Sequence, residues 1–388
     1  MRKIIGNFKP QQLGWRTSAP QFWLVTLGWL VASMPATAFV PENPEETLLE
    51  REYPIVHHTY QSIELAVEQA QSYLTFARQQ FDPAYYEYAK SALRPWWNTA
   101  STDEFRLLRA TINQHDHLFS EALDDLDSIL KSQPQHVQAR LLRFSVHMAM
   151  GNLASAQSDC RKLTLLTDPT LVMICLAQVN GLRGKADIME GKLLDLLPGS
   201  KLDVEKLQEL LVTLGELNLI KGNLKRAELY ARQTLQLNPR NRYAMDILLQ
   251  ALIGLQDFKS LLTFTGDRPE LEMRILNAFA QMQLFQFVNE RVRSDLVLEI
   301  NQLQRSMSKH SAKAPALYYL YIERDPVNAL LYALDNWNQQ KTVGDATLLL
   351  QADRLSVPSQ ATSKVRQWIL DNNIQHTGLD LILATHGG

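Results

Sequence analysis

Between Asp103 and Asn241 apolar residues recur at steps of three and four, and glycine or proline interrupts the pattern at regular intervals. That spacing gathers apolar side chains on one face of successive helices, not on alternate sides of a strand. The clearest unit runs from Gln208 to Asn241, QELLVTLGELNLIKGNLKRAELYARQTLQLNPRN. It reads as two antiparallel helices. Gly215 and Ala227 are small enough to let the two axes approach, and Gly222 permits a tight turn between them. Tyr230, Ala231 and Leu235 continue the buried stripe, and Pro239 cannot continue a helix.

The pattern recurs upstream. Asp103 to His136 carries Ala122, Ile129 and Pro134 in register. Val137 to Pro169 has Gly151 in its turn and Ala156 at the small position, so Ala122 and Ala156 stand at the same place in successive units. Thr170 to Pro198 is a shortened unit with Gly184 in its turn, and Arg242 to Phe264 is a degenerate pair. A period of about 34 residues, with these small residues and turn glycines, resembles the tetratricopeptide repeat. The resemblance is strong over 103–241 and weak beyond. It implies an all-α fold, a right-handed helical-repeat solenoid of antiparallel helix pairs.

The rest of the chain divides around the array. Residues 60–102 read as an N-terminal helix pair broken at Asp82-Pro83, a good cap followed by a first-turn proline. Its DP…YA…AL.PWW pattern resembles a segment found ahead of the repeats in some exported bacterial tetratricopeptide proteins. The array spans 103–265. Residues 266–373 read as further helices that cap the solenoid, with a polar linker at Ser306–Pro315 and an Asp325-Pro326 helix start. Residues 374–388 form a tail without clear period, expected as a short strand or without regular structure.

The first 38 residues change the setting. Arg2, Lys3, Lys9 and Arg16 precede an apolar stretch, Phe22–Ala32, and Ala36-Thr37-Ala38 is a small-x-small cleavage site. This reads as a secretory signal cleaved after Ala38, with residues 39–59 as an extended segment behind it. The apolar stretch is shorter than the roughly 18–20 residues a membrane span needs; an uncleaved inner-membrane anchor facing the periplasm is the alternative. The expected compartment is the periplasm. Removing the leader takes the net charge from −2 to −6, with 35 basic against 41 acidic residues. That balance offers no electrostatic footprint for nucleic acid.

Candidate chemistry is sparse. Cys160 and Cys175 are the only thiols. They sit about equally far from the Asp168-Pro169 turn, so an antiparallel helix pair brings them to one height. An oxidising compartment permits a bridge, but only if both Cβ atoms point into the contact; two buried free thiols are the other reading. His57-His58 and His115-Asp116-His117 lack metal-ligand spacing, and no metal or cofactor is expected. No GxSxG, P-loop or GxGxxG motif occurs, so the chain is not expected to be an enzyme. Trp96-Trp97 with Tyr85, Tyr86 and Tyr88 read as packing between the N-terminal pair and the first repeat, or as a stacking surface for an envelope polymer.

The resemblance implies a concave groove lined by the first helix of each repeat. Carried over by position, repeat one supplies Glu104, Leu107, Thr111, Gln114 and His115, and repeat two Gln138, Leu141, Ser145 and Met148. Repeat three supplies Ile174 and Gln178, and repeat four Glu209, Val212, Glu216 and Leu219. In the family, Lys, Asn and Arg on these helices clamp a partner's C-terminal carboxylate; Leu, Ser, Gln, Val and Glu stand here instead, which excludes that clamp. An apolar and acidic groove is expected to take a helical or extended protein segment of basic character. The expected function is therefore a non-enzymatic periplasmic scaffold or adaptor. A self-associating structural component of an envelope complex, or a polymer-binding or hydrolase accessory protein, are the alternatives.

Overall fold

Small side chains at matched positions set how closely the helices pack. The structure is a computed structural model that describes residues 60–388, except 81, 198–201, 267, 306–311, 357–359 and 385–388. The leader and the extended segment, 1–59, with His57 and His58, lie outside the described residues. An N-terminal pair, α1 (Ile63–Gln80) and α2 (Ala84–Leu93), is followed by α3 (Asp103–His115) with α4 (Phe119–Ser132), and α5 (Val137–Ala149) with α6 (Leu153–Lys162). Then come α7 (Pro169–Asn180) with α8 (Ala186–Leu196), α9 (Val204–Ile220) with α10 (Leu224–Leu237), and α11 (Arg242–Gly254) with α12 (Phe258–Thr265). Each first helix packs on its own second helix, and α7, α9 and α11 also pack on one another in series. This is the tetratricopeptide arrangement, a helical-repeat solenoid. Ala122, Ala156 and Ala227 are fully buried at the small position of the second helix. Gly215 makes room one contact further on: a Cβ there would lie 3.2 Å from the Ile247 side chain of α11.

A buried ion pair repeats with the fold. Arg109 of α3 grips Asp125 of α4 through Nε and Nη2, at 2.8 and 2.6 Å. Arg143 of α5 grips Asp159 of α6 in the same way, at 2.9 and 2.6 Å. Both partners advance by one full period from one repeat to the next. Asp159 is 1% exposed and also accepts from Arg140 Nη1 at 3.2 Å. Removing it would leave Arg143 with Asp127 and Arg140 with the Pro134 carbonyl, each short of its buried partner.

The turns inside the pairs share one conformation. A residue with positive φ recurs at His117, Gly151, Gly184, Gly222 and Gln256. Glycine meets this requirement without a Cβ penalty. In the first and fifth repeats a histidine and a glutamine take the same left-handed position, which is why those turns carry no glycine signal.

Cys160 of α6 and Cys175 of α7 lie in the core, 0% and 3% exposed. Their Cα atoms are 5.8 Å apart and the structure joins them as a disulfide. The bridge ties the second repeat to the third across the Asp168-Pro169 turn, where Asp168 caps α7 by accepting from Thr170 N–H at 2.8 Å.

Beyond the array come α13 (Leu271–Phe285), α14 (Glu290–Arg305) and α15 (Lys313–Tyr318), then α16 (Pro326–Gln339), α17 (Val343–Leu355), α18 (Ala361–Asn372) and α19 (Thr377–Ala384). The expected linker falls outside the described residues over 306–311, and its last residues already belong to α15. The tail expected to be a strand or irregular is helical over 377–384, with Leu379 as its buried anchor. These last helices run back along the turns of the middle repeats. Lys341 N–H donates to the Ala149 carbonyl at 2.7 Å, and Gln375 N–H to the Leu182 carbonyl at 2.8 Å. Trp368 Nε1 donates to the Gly151 carbonyl at 3.3 Å, and Asn372 Oδ1 accepts from Leu153 N–H at 3.2 Å. A Cβ on Gly151 would fall 2.3 Å from Trp368 Nε1, and one on Gly222 3.1 Å from Thr377. The turns must therefore be bare for the C-terminal helices to seat.

The disulfide and the last helix each lead to a measurement. A bridge closing a loop of sequence separation 15 contributes about 3 kcal/mol. Thermal unfolding of the chain should show a loss of that order on adding dithiothreitol, and Cys160→Ala/Cys175→Ala should be indifferent to the reductant. Equal stability of the unaltered chain in both conditions would mean the thiols are free. The second measurement concerns His376, whose Nδ1 caps α19 by accepting from Gly378 and Leu379 N–H at 3.1 and 3.3 Å. Burial pushes its pKa down to about 4, so the unfolded chain binds the proton first. Its contribution is complete above the unfolded value near 6.5 and is lost as pH falls through about 4. Hydrogen exchange over 374–384 should quicken as pH falls through that window once intrinsic rates are divided out. His376→Asn, a cap without a titrating proton, should remove the effect.

Candidate functional site

The first helices of the repeats face a common concavity. Glu104, Gln138 and Ser145 are exposed there, and Leu107, Thr111, Gln114, Leu141, Met148, Gln178, Glu209, Glu216 and Leu219 are half-buried. Two expected groove residues belong elsewhere. Ile174 is 6% and Val212 2% exposed, so both are core. Ile174 packs with Leu210, Leu211 and Leu214 of α9, and Val212 joins the main core. Ile174 lies in the shortened third repeat, where positions transferred from a full-length unit turn inward, and Val212 lies on the side of α9 that packs into the core. Leu141, Met148 and Leu219 also lean on the main core, so each offers an edge and not a whole side chain to a partner.

His115, placed among the groove residues of repeat one, has its ring stacked on Tyr86 of α2, with centroids 3.8 Å apart and planes nearly parallel. Tyr85 and Tyr88 instead cluster with Tyr73 of α1. Trp96 and Trp97 are half-buried against the N-terminal core. Among the described residues no three His, Cys, Asp or Glu side chains converge closely enough to hold a metal ion, and no helix is long and apolar enough to cross a membrane.

The sharpest grouping lies deeper in the array. Glu209 and Glu216 are two helical turns apart on α9, and so share a face. Gln178 of α7 reaches Glu216, Nε2 donating to Oε2 at 3.4 Å. Tyr243 and Asp246 of α11 extend the same surface. Tyr243 is 58% exposed, yet its hydroxyl is pushed up to about 12, by burial first and then by Glu209, Tyr86, Glu216 and Asp246. The carboxylates shift upward as well. Burial pushes Glu216 up to about 7, against the Gln178 hydrogen bond and with help from Glu209. Glu209 is raised by burial and by Glu205. Asp246 is raised by burial, with Lys313 the chief opposing group.

Distant parts of the chain meet nearby. The end of α1 meets the α10–α11 turn through Arg240 Nη1, which donates to Gln80 Oε1 at 3.4 Å. On the downstream side Lys313 pairs with Glu272 at 3.3 Å, and Glu272 and Asp246 together hold its ammonium charged. Tyr243 and Asp246 were within reach of the sequence pattern, since they lie one repeat period beyond Glu209 and Val212. Lys313 carries no such signal; only the curvature of the array brings it in.

No protein-family model matches the chain, and no curated protein matches it. Solved structures do overlap with it in part. A tetratricopeptide repeat protein from Parabacteroides merdae is similar over 66% of this chain and 99% of its own, at 14% identity and a TM-score of 0.41. The human IFIT1 dimer with PPP-AAAA is similar over 79% of this chain and 84% of its own, at 11% identity and a TM-score of 0.44. Yeast Tom70 is similar over 83% of this chain and 89% of its own, at 12% identity and a TM-score of 0.28. The repeat architecture itself rests on the chain's own period, its recurring left-handed turns and its repeated Arg–Asp pairs.

Proposed function

We propose that this chain is an exported, non-enzymatic scaffold of the cell envelope that holds a segment of another protein along its concave face. The observation that carries this reading is the row of first helices, α7, α9 and α11 packed in series, which presents half-buried apolar edges and half-buried carboxylates side by side. Such a surface matches an elongated occupant with side chains at intervals, as in groove recognition of peptides. The leader-like sequence of residues 1–38 supports an extracytoplasmic setting, with the periplasm as its compartment.

Self-association is the second reading, and one feature favours it. Near the C-terminal end Leu370 and Leu381 are 70% and 65% exposed. A hollow of about 450 Å³ opens beside them, lined by Ile369, Leu370, Leu383 and Ala384 with Arg366 and Asp380. Polymer binding through the tryptophans has less support, because Trp96 and Trp97 are half-buried against their own helix pair.

The two readings separate by crosslinking and capture from the native envelope fraction. A Gln138→Arg/Ser145→Arg variant alters only exposed groove positions. It should keep its melting temperature and lose a partner that the unaltered chain captures. Leu141 and Met148 are unsuitable for this purpose, because both lean on the core and a charge there would destabilise the fold. Crosslinks confined to copies of the chain, abolished by Leu370→Asp/Leu381→Asp, would reject the scaffold reading in favour of self-assembly.

A further inference from the structure

A hollow lies where the end of the chain returns to the second repeat. It measures about 640 Å³ and includes none of the expected groove residues; that volume is in the range of small-molecule sites. One wall is the α5–α6 turn with the first turn of α6, and the other is the end of α16 with α18. The walls are fastened to each other. Lys341 N–H donates to the Ala149 carbonyl, Trp368 Nε1 to the Gly151 carbonyl, and Leu153 N–H to Asn372 Oδ1. Trp337 and Trp368 meet edge to face with ring centroids 5.2 Å apart, and with Met150 they supply the apolar part of the lining. The polar part is not used by the fold. Among the described residues, the side chains of Asn152, Ser155 and Asn338 make no hydrogen bond, and Lys341 and Lys364 have no carboxylate partner. The acid in the lining, Asp371, already accepts from Gln367 Nε2 at 2.7 Å. Two lysines thus face one hollow against a single engaged acid, in a chain with 41 acidic and 39 basic residues.

We propose that this hollow binds a small hydroxylated organic anion, of the size and chemistry of a sugar acid, and that the bound anion fastens the C-terminal helices to the second repeat. Each part of the lining selects for one part of that ligand. Lys341 and Lys364 answer its negative charge, and they reach it from two different elements. The amides of Asn152 and Asn338 and the Ser155 hydroxyl can donate to and accept from its hydroxyl groups. Met150 and the tryptophan edges receive its carbon body. A neutral sugar would leave both ammonium groups unanswered, and inorganic phosphate would answer them without using the apolar lining. A metal cation would meet like charge. Because the hollow exists only while the two walls are together, a ligand that touches both binds the seated state alone. It therefore stabilises that state by mass action. The site is separate from the row of first helices, so it holds whether or not a protein segment is held there.

Thermal melting and hydrogen exchange of the full chain test this, with glucuronate, glucose and inorganic phosphate as probes at matched ionic strength. Glucuronate should raise the melting temperature saturably and slow exchange over 337–341 and 364–372. Glucose and phosphate should each bind at least about tenfold more weakly. Lys341→Gln/Lys364→Gln should lower the affinity for glucuronate by at least about tenfold. Ala154→Trp, at an exposed position of the lining, should fill the hollow and abolish the response; it decides the matter if the lysine variant melts early without ligand. Lys162→Gln/Lys192→Gln, exposed and outside the lining, should respond like the unaltered chain. The proposal falls if glucuronate gives no saturable shift, or if glucose or phosphate does as well. It falls equally if the response survives Ala154→Trp, or if the outer lysine variant loses as much as the inner one, since the attraction is then to charge at large.

Discussion

Close approach of two helices at one small side chain, made in the first, second and fourth units of the array, is the constraint on which the molecule depends. Ala122, Ala156 and Ala227 are each fully buried where a second helix crosses its first. A larger residue there would part the pair, and because each pair packs on the next, the displacement would pass along the stack. The Arg109–Asp125 and Arg143–Asp159 forks sit across the same interfaces and fix the rotation of one helix against the other. Packing sets the distance and the ion pairs set the register. Together they fix how the two helices of the first and second repeats sit against each other.

Curvature then creates contacts that no local signal announces. Gln80 meets Arg240 across 160 residues, and Trp368 reaches the Gly151 carbonyl across 217. The second of these shows why a bare turn matters twice. Gly151 adopts positive φ, and the absence of its Cβ also leaves room for an indole. The C-terminal helices therefore do more than shield the last repeat from water; hydrogen bonds at Ala149, Gly151, Leu153 and Leu182 tie them to turns in the second and third units. A solenoid held only by nearest neighbours opens unit by unit, whereas this return path couples its end to its middle.

Much of this was legible where backbone geometry demands a residue type. Gly151, Gly184 and Gly222 announced turns, Asp82-Pro83 and Asp325-Pro326 announced helix starts, and each aspartate does cap its helix. Legibility failed where geometry tolerates substitutes. His117 and Gln256 hold the left-handed position that glycine holds elsewhere, so the first and fifth turns lacked their mark. It failed again where a count was carried across an irregular unit: Ile174 turns into the core in the short third repeat, while Val212, in a full-length one, sits on the core side of α9. The helix at Thr377–Ala384 was hidden for a different reason. Leu379 is its buried anchor while Leu381 faces solvent, and so short an apolar run shows no helical period.

The concave face is where the fold departs from its own habits. On the other faces of the array, buried acids such as Asp125, Asp159 and Glu190 meet cations suited to them, which is the ordinary condition for stability. Glu209 and Glu216, half-buried on α9, instead meet no cation among the described residues, and burial raises their pKa values. Raised values mean that folding disfavours their charged forms, so at neutral pH these residues oppose the fold they belong to. A glutamine or an alanine on each would relieve that opposition without disturbing the helix. Local violations of otherwise consistent rules mark the places where a sequence serves something other than stability. Here the unmet charge lies on α9, in the row of first helices that the repeats share, so its placement depends on the same helix packing that holds the molecule together.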